Sequence, residues 1–170
     1  MATSEHPLIL TLTLDAKSAA FFDELRQRHF PPERNYLDAH LTLFHQLPGA
    51  QADSIVNTLE DISQRYRPLK VLVNEVRLLG KGVAYRAESK LLLQLHRQLQ
   101  KQWRSYLTAQ DQQKLWPHVT VQNKVSPEAA KELHEQLSED FKPFEATGEG
   151  LHLWEYHGGP WTSKRAFSFQ

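Results

Sequence analysis

The sequence predicts an α+β fold built as two related lobes. The sequence pattern predicts the order helix, strand, helix, strand, strand for both residues 15–88 and residues 89–169. The two halves are nevertheless not visibly alike residue for residue. Each half also carries a His-x-Thr motif in its first strand, beginning at His40 and at His118. We therefore expect residues 1–170 to form one domain of two lobes.

Composition narrows the classes of protein that this chain can be. With 170 residues and 40% hydrophobic content, it can bury a core of ordinary density. Twenty Lys and Arg residues balance twenty Asp and Glu residues, so the chain lacks the broad basic field of a non-specific nucleic-acid binder, and DNA is not an expected partner. The absence of cysteine excludes disulfides, thiolate zinc ligands and cysteine nucleophiles, and cytoplasm is the expected location.

The N-terminal segment gives no sign of targeting. Residues 1–7 lack a basic n-region, and the alternating residues 8–14 are too few to span a bilayer. Neither a signal peptide nor a membrane anchor is expected.

The first half opens with a strand and a helix. Leucine alternates with mostly threonine over residues 8–14, which is typical of a half-buried strand. Asp15 is a suitable N-cap for a helix that continues to about residue 29, where two prolines end it. The buried face of this helix is expected to carry Phe21, Phe22 and Leu25.

A second strand, a second helix and a hairpin complete the first half. The strand covers residues 39–44, and after a turn near Pro48 apolar residues recur at helical spacing over residues 52–62. Alternating apolar residues over 69–78 predict a strand with a possible bulge, and a glycine-containing turn at 80–82 pairs it with the next strand.

The second half repeats this order. A long helix is predicted over residues 89–107, followed by a strand over 116–121. Ser126 then stands as N-cap before Pro127, which favours a fourth helix. The tail is predicted to supply strands at residues 144–146, 151–156 and 162–169, the last two forming a second hairpin.

The two His-x-Thr motifs carry the chemistry. In a strand, His40 and Thr42 point to one face while their apolar neighbours point to the other, and His118 and Thr120 repeat this arrangement. Polar groups on apolar strands need hydrogen-bond partners, and an anion in a common cleft would satisfy all four side chains. One imidazole could then accept a proton while the other donates one, and the hydroxyls could hold phosphate oxygens. Such a set requires neither a metal nor a cofactor, because imidazolium and hydroxyl donors can meet the developing charge.

These motifs resemble those of the two-histidine (2H) phosphoesterase superfamily, which includes bacterial 2′–5′ RNA ligase-like proteins and plant-type cyclic phosphodiesterases. Softer matches lie at residues 82–85, 92–99, 116–117 and 151–154, so that the resemblance covers nearly the whole chain.

The resemblance implies both a fold and an activity. The fold would have two pseudo-symmetric lobes, with mainly antiparallel sheets lining a central groove and helices outside. The activity would be hydrolysis of 2′,3′-cyclic phosphates or 2′–5′ linkages at RNA or nucleotide ends, with 2′–5′ ligation as the reverse reaction. Because no long basic run flanks the motifs, the expected partner is a nucleotide or a short RNA, bound by a monomer.

Four further residues are candidates for substrate binding. Arg86 and Lys124 could lend local positive charge to a phosphate. Tyr156 and Trp161 flank the glycines of the last turn and could stack on a nucleobase, although packing at the hairpin end would equally explain them.

The remaining histidines have plainer interpretations. His45 lies five residues after His40, so an unbroken strand would turn it to the opposite face, in a structural or loop-end role. A zinc site of His40, His45 and His118 is an alternative that no His-x-His pair or carboxylate spacing supports. Histidines such as His96 and His152 are expected to be ordinary solvated or capping residues.

Two other functions stay open from the sequence. A non-catalytic module could use the same groove to bind a nucleotide or an RNA end without turnover. Alternatively, the fold could be a scaffold in which the paired motifs are a coincidence.

Overall fold

A computed structural model describes residues 6–170. The expectation that no signal peptide is present concerns residues 1–7, of which the first five lie outside the described part. Among the described residues, no helix combines the length and the apolar character needed to cross a membrane.

The order of elements matches the prediction in both halves. The seven strands are β1 (Leu8–Leu14), β2 (Leu41–Leu47), β3 (Leu69–Leu79), β4 (Gly82–Glu88), β5 (His118–Gln122), β6 (Phe144–Tyr156) and β7 (Trp161–Ser168). The four α-helices are α1 (Ala16–His29), α2 (Ala52–Gln64), α3 (Lys90–Gln102) and α4 (Pro127–Glu139).

All seven strands belong to one antiparallel sheet in which β6 is shared by two sections. The strand order is β2-β1-β6-β3-β4-β5, and β7 also pairs with β6. Along one edge of β6, residues 144–148 pair with β3 and residues 150–156 pair with β7, while β1 occupies the other edge. The sheet therefore forks near residue 149. This arrangement confirms the α+β fold with antiparallel strands, and its two sections are joined through a common strand.

Two glycines make the fork possible. At Gly150 a Cβ atom would lie 2.1 Å from the carbonyl oxygen of Phe167 in β7, and at Gly148 it would lie 3.0 Å from the side chains of Leu12 and Leu69. Since only glycine leaves room for such close neighbours, β6 runs unbroken through a segment where the sequence predicted two separate stretches.

The two motif-bearing strands lie at opposite ends of the strand order and still contact each other. β2 and β5 are the terminal strands of the path, yet they are neighbours in space because the sheet curves round on itself. Helix α1 packs on β5, α2 packs on β6 and β7, and α4 packs on β3 and β4. This curvature brings the two halves of the predicted site together.

Local signals in the sequence are confirmed at several boundaries. The Asp15 carboxylate accepts a hydrogen bond from the Ser18 amide at 3.1 Å, and Ser126 caps α4 in the same way with Pro127 in its first turn. The predicted bulge in β3 occurs between Val73 and Glu75, where the pairing with β4 shifts.

Other predictions need correction. Phe21 is 39% exposed, at the edge of α1, while the buried face carries Phe22 and, unexpectedly, Arg26. The predicted helix over 89–107 ends at Gln102, because the chain tightens there into the 3-10 turn Arg104–Tyr106. His40 lies just before β2, which begins at Leu41.

Candidate active site

The two His-x-Thr motifs open into one small pocket. Its volume is about 190 Å³. The pocket is lined by Ile9, His40, Thr42, His45, His118, Thr120 and Trp161. The four residues singled out from the motifs are thus brought together, as predicted, by the contact between the ends of the sheet.

Each motif histidine is anchored in the same way. His40 Nδ1 lies 2.8 Å from the carbonyl oxygen of Asp38, and His118 Nδ1 lies 2.7 Å from that of Trp116. A carbonyl oxygen only accepts, so both Nδ1 atoms carry a hydrogen and donate it. In each ring Nε2 is then the nitrogen free to exchange a proton with a bound group.

The two histidines differ in how strongly their surroundings disfavour the charged form. Burial lowers the pKa of His40 to about 4, and the positive charge of Arg26 and the neighbouring imidazoles of His118 and His45 add to this effect against the opposing hydrogen bond to Asp38. Burial also lowers the pKa of His118, again opposed by a carbonyl hydrogen bond, from Trp116. Both rings are therefore mainly neutral at pH 7.

His45 faces the same pocket, which corrects the prediction that it would face the opposite side. Between the pairs Leu10–Phe44 and Thr11–Thr42, one step along β1 corresponds to two steps along β2. This extra residue is a β-bulge, and it makes Leu43 and Phe44 both buried. A second register shift follows between the pairs Leu10–Phe44 and Leu8–Leu47, and between the two shifts His45 lies on the side of Thr42.

Asp111 holds His45 in place and was not identified from the sequence. Its carboxylate accepts hydrogen bonds from the main-chain amides of His45 (2.9 Å) and Gln46 (2.8 Å) and from His45 Nδ1 (3.3 Å). Asp111 belongs to an irregular loop between α3 and β5, and no motif or spacing relates it to β2.

A row of aromatic rings extends from the pocket along β6 and β7. The ring of Trp161 lies 4.6 Å from that of His40, and Trp154 lies 6.0 Å further on. His152 stacks on Trp154 at 3.8 Å with an interplanar angle of 11°. These rings line a larger cavity of about 410 Å³, which shares His40 and Trp161 with the motif pocket. His152 is therefore part of a cavity wall, where the sequence suggested a solvated residue.

Three of the four additional candidates lie beside the motif pocket. Lys124, Tyr156 and Trp161 line an adjoining cavity of about 500 Å³ that includes His40 and Thr120. The Lys124 backbone is in the left-handed region, with φ of 62°.

Arg86, the fourth candidate, is not brought into these cavities. It pairs with His118 across β4 and β5, but its guanidinium contacts Glu75 at 3.6 Å and Glu88 at 3.8 Å. Its charge is therefore balanced by carboxylates.

His96 also differs from expectation, because it is buried at 2% exposure. Its Nε2 donates to the carbonyl oxygen of Leu43 at 2.9 Å, and its ring stacks on Phe44. This contact ties α3 to the bulge of β2.

The sequence left a zinc site of His40, His45 and His118 as an alternative interpretation of these histidines. Within residues 6–170, no three histidine, aspartate or glutamate side chains are grouped so as to hold a metal ion.

An antiparallel α+β fold with two His-x-Thr motifs in one pocket defines the 2H phosphoesterase class. The family model of the 2′-5′ RNA ligase superfamily matches residues 14–160, and the chain belongs to this superfamily. The resemblance seen in the sequence is thereby confirmed, and the family supports a phosphoesterase-type activity.

Solved structures share the fold over nearly their whole length. TT0787 of Thermus thermophilus superposes with a TM-score of 0.68 at 16% identity, covering 96% of this chain and 97% of that one. E. coli LigT complexed with 3′-AMP superposes with a TM-score of 0.60 at 18% identity, covering 98% and 99%. E. coli LigT complexed with NADP+ gives 0.59 at 19% identity, with the same coverage. At these identities the likeness shows the fold alone, and no curated protein matches the sequence.

Proposed function

We propose that this protein is a metal-independent phosphoesterase that hydrolyses a 2′,3′-cyclic phosphate or a 2′–5′ phosphodiester at the end of a nucleotide or short RNA. The observation that carries this proposal is the single pocket lined by His40, Thr42, His118 and Thr120. Its volume of about 190 Å³ suits a phosphate group and little more.

We base the proposed roles of the two histidines on their environments. His40 has the lower pKa, about 4, so it is unprotonated over most of the pH range and serves as the general base. His118, whose pKa is lowered by burial, then serves in its protonated form as the general acid. The hydrogen bonds from Nδ1 to Asp38 and Trp116 aim both Nε2 atoms at the bound group.

The proposed hydrolysis needs only these groups. His40 Nε2 takes a proton from water as the water oxygen forms a bond to phosphorus. The bond between phosphorus and one ribose oxygen breaks, and that oxygen receives the proton of His118 Nε2. The hydroxyls of Thr42 and Thr120 donate to the non-bridging oxygens, whose negative charge grows in the transition state. With a ribose hydroxyl in place of water, the same steps would form a diester.

The row of aromatic rings along β6 and β7 favours binding of a nucleotide over binding of a simple phosphate ester. Trp161 borders both the motif pocket and the two larger cavities, so a ring stacked on it would remain within reach of a phosphate held by the motifs. LigT, which has the same fold, has been solved with 3′-AMP bound. Lys124 and Tyr156 line the adjoining cavity, where the rest of a short RNA would lie.

The first experiment measures hydrolysis of the four nucleoside 2′,3′-cyclic phosphates in excess EDTA between about pH 5 and 8. His40→Asn and His118→Asn are the informative variants, because asparagine places an N–H close to the former Nδ1 and removes Nε2. We expect each to reduce kcat at least about a hundredfold. His29→Asn, outside the pockets described, should leave kcat unchanged.

Four results would contradict the proposal. Turnover that EDTA abolishes would point to a metal-dependent reaction. Turnover that survives both histidine variants would place the chemistry elsewhere. Binding of 3′-AMP without any turnover would favour the non-catalytic module, and histidine NMR signals that do not respond to phosphate would favour a scaffold.

A further inference from the structure

A third imidazole faces the phosphate pocket, and the acid–base reaction does not use it. His45 lines the pocket together with both motifs, and its side chain is 44% exposed. The β-bulge in β2 turns it there, whereas a regular strand would have turned it away. Because a bulge interrupts strand pairing, its position at this site calls for a functional explanation.

The partner of His45 is a carboxylate that is almost fully buried. The Asp111 side chain is 1% exposed, and burial acts to raise its pKa. The hydrogen bonds from His45 and Gln46 outweigh that effect, so the pKa of Asp111 is lowered and the group is ionised at neutral pH. A buried charge of this kind is stable only because it has several donors.

The loop that carries Asp111 is itself fixed. The side-chain amide of Gln100 donates to the carbonyl oxygens of Asp111 at 3.0 Å and of Gln113 at 2.8 Å. The Asp111 main-chain amide in turn donates to Thr108 Oγ1. The carboxylate therefore sits on a rigid support behind His45.

This arrangement determines which nitrogen of His45 faces a ligand. Asp111 can only accept, so Nδ1 carries a hydrogen, and Nε2 is left for the pocket. An imidazole bound in this way presents an N–H to an anion when both nitrogens are protonated, and the carboxylate balances the resulting charge. Of the other titratable groups around it, His40, His96 and His118 all have pKa values lowered mainly by burial.

We infer that His45 is a third imidazole contact to the phosphate group of the substrate, positioned by Asp111. In this arrangement His45 Nε2–H donates to a phosphate oxygen, while the Asp111 carboxylate holds the opposite side of the ring through Nδ1. This inference rests on the proposed function, because it assumes that the pocket holds a phosphate.

The test compares two substitutions that separate the two ring nitrogens. In His45→Asn, the side-chain amide can still donate to Asp111, but nothing replaces Nε2. In His45→Gln, the longer side chain places an N–H close to the former Nε2. Inorganic phosphate is the probe, titrated by calorimetry and by the NMR signals of the remaining histidines.

We expect His45→Asn to weaken phosphate binding about tenfold and His45→Gln to stay within about threefold of wild type. For cyclic nucleotides, KM should rise more than kcat falls, since His45 transfers no proton. If His45→Asn binds phosphate as tightly as the wild type, the contact does not exist and the inference is wrong.

Asp111→Asn tests the positioning role. In the phosphate-free wild type we expect the Nδ1–H tautomer of His45, read from side-chain ¹⁵N shifts, to dominate, and we expect this preference to be lost in the variant. Adding His45→Asn to Asp111→Asn should cause no further loss of phosphate affinity, whereas independent structural effects would add. Additive losses would overturn the role of Asp111.

Different measurements decide the proposed function and this inference, so the failure of one can be told from the failure of the other. Wild-type turnover of cyclic nucleotides decides the function. The ratio of wild-type to His45→Asn phosphate affinity decides the inference. A wild-type protein that turns over cyclic nucleotides but binds no inorganic phosphate would contradict the inference alone.

Discussion

Arg26 reaches from α1 to β5, where its Nη1 donates to the carbonyl oxygen of Thr120 at 3.1 Å. Its Nε also donates to Asn35 Oδ1 at 2.9 Å and to the Leu37 carbonyl oxygen at 3.0 Å. The guanidinium is buried and lies 3.9 Å from the ring centre of Phe30. One side chain therefore connects the segment that precedes the first motif with the strand that carries the second.

Removing this guanidinium should lower both the free energy of unfolding and the rate of turnover. In Arg26→Met the carbonyl oxygens of Leu37 and Thr120 lose their donor while the apolar stem is largely kept, so we expect a loss of about 2–4 kcal/mol in the free energy of unfolding. Urea unfolding measures this change, with turnover assayed below the transition. The exposed Arg28→Met is the matched control and should change stability by less than about 0.5 kcal/mol. Equal stability of the two variants would show that Arg26 does not join the halves.

The pH dependence of kcat/KM should follow the two motif histidines. A base with a pKa of about 4 (His40) must be unprotonated, and an acid with a pKa below its usual range (His118) must be protonated. Activity should therefore rise through about pH 4, fall before or near about pH 6.5, and be greatest on the acid side of neutrality. Initial rates at low substrate concentration measure this profile, because kcat/KM reports the free enzyme. A profile that still rises at pH 8 would be inconsistent with His118 as the acid.

Trp161 should contribute to nucleotide binding much more than to phosphate binding. Its ring borders the motif pocket and both larger cavities. For Trp161→Ala we expect KM for nucleoside cyclic phosphates to rise about tenfold or more, since stacking on a base is worth about 1–3 kcal/mol. Affinity for inorganic phosphate is the internal control and should change less than about threefold, with Trp161→Phe in between. If phosphate and nucleotide lose affinity equally, Trp161 acts only by supporting His40.

The fork in the sheet should depend on Gly150. A Cβ at this position would lie 2.1 Å from the carbonyl oxygen of Phe167, so β6 and β7 must separate to admit alanine. We expect Gly150→Ala to lower the melting temperature by several degrees, corresponding to about 1–3 kcal/mol. Gly80→Ala, where nothing lies within 4 Å, is the control and should be neutral. An unchanged melting temperature for Gly150→Ala would mean that β7 is not held against β6 as described.

Much of the fold and the centre of the site could be predicted from local patterns. Alternation at residues 8–14 and the caps at Asp15 and Ser126 report interactions within a few residues of each other, and the structure confirms them. The repeated order of elements and the His-x-Thr spacing likewise predicted equivalent positions for His40 and His118, although His40 lies just before β2 while His118 is the first residue of β5. Such features depend on backbone periodicity, which a sequence displays directly.

Most of the helices and strands, the α+β class and the four motif residues follow from the amino-acid order without any knowledge of the packing. Three features arise only from the folded chain: β2 and β5 meet, a bulge turns His45 into the pocket, and Arg26 and Asp111 are buried where they hold the two motifs. The physical reason is distance along the chain. Arg26 and Thr120 are 94 positions apart and His45 and Asp111 are 66 apart, and a buried polar group is satisfied by whichever partner the fold brings near. No local sequence pattern indicates which residue will be the partner of a buried polar group.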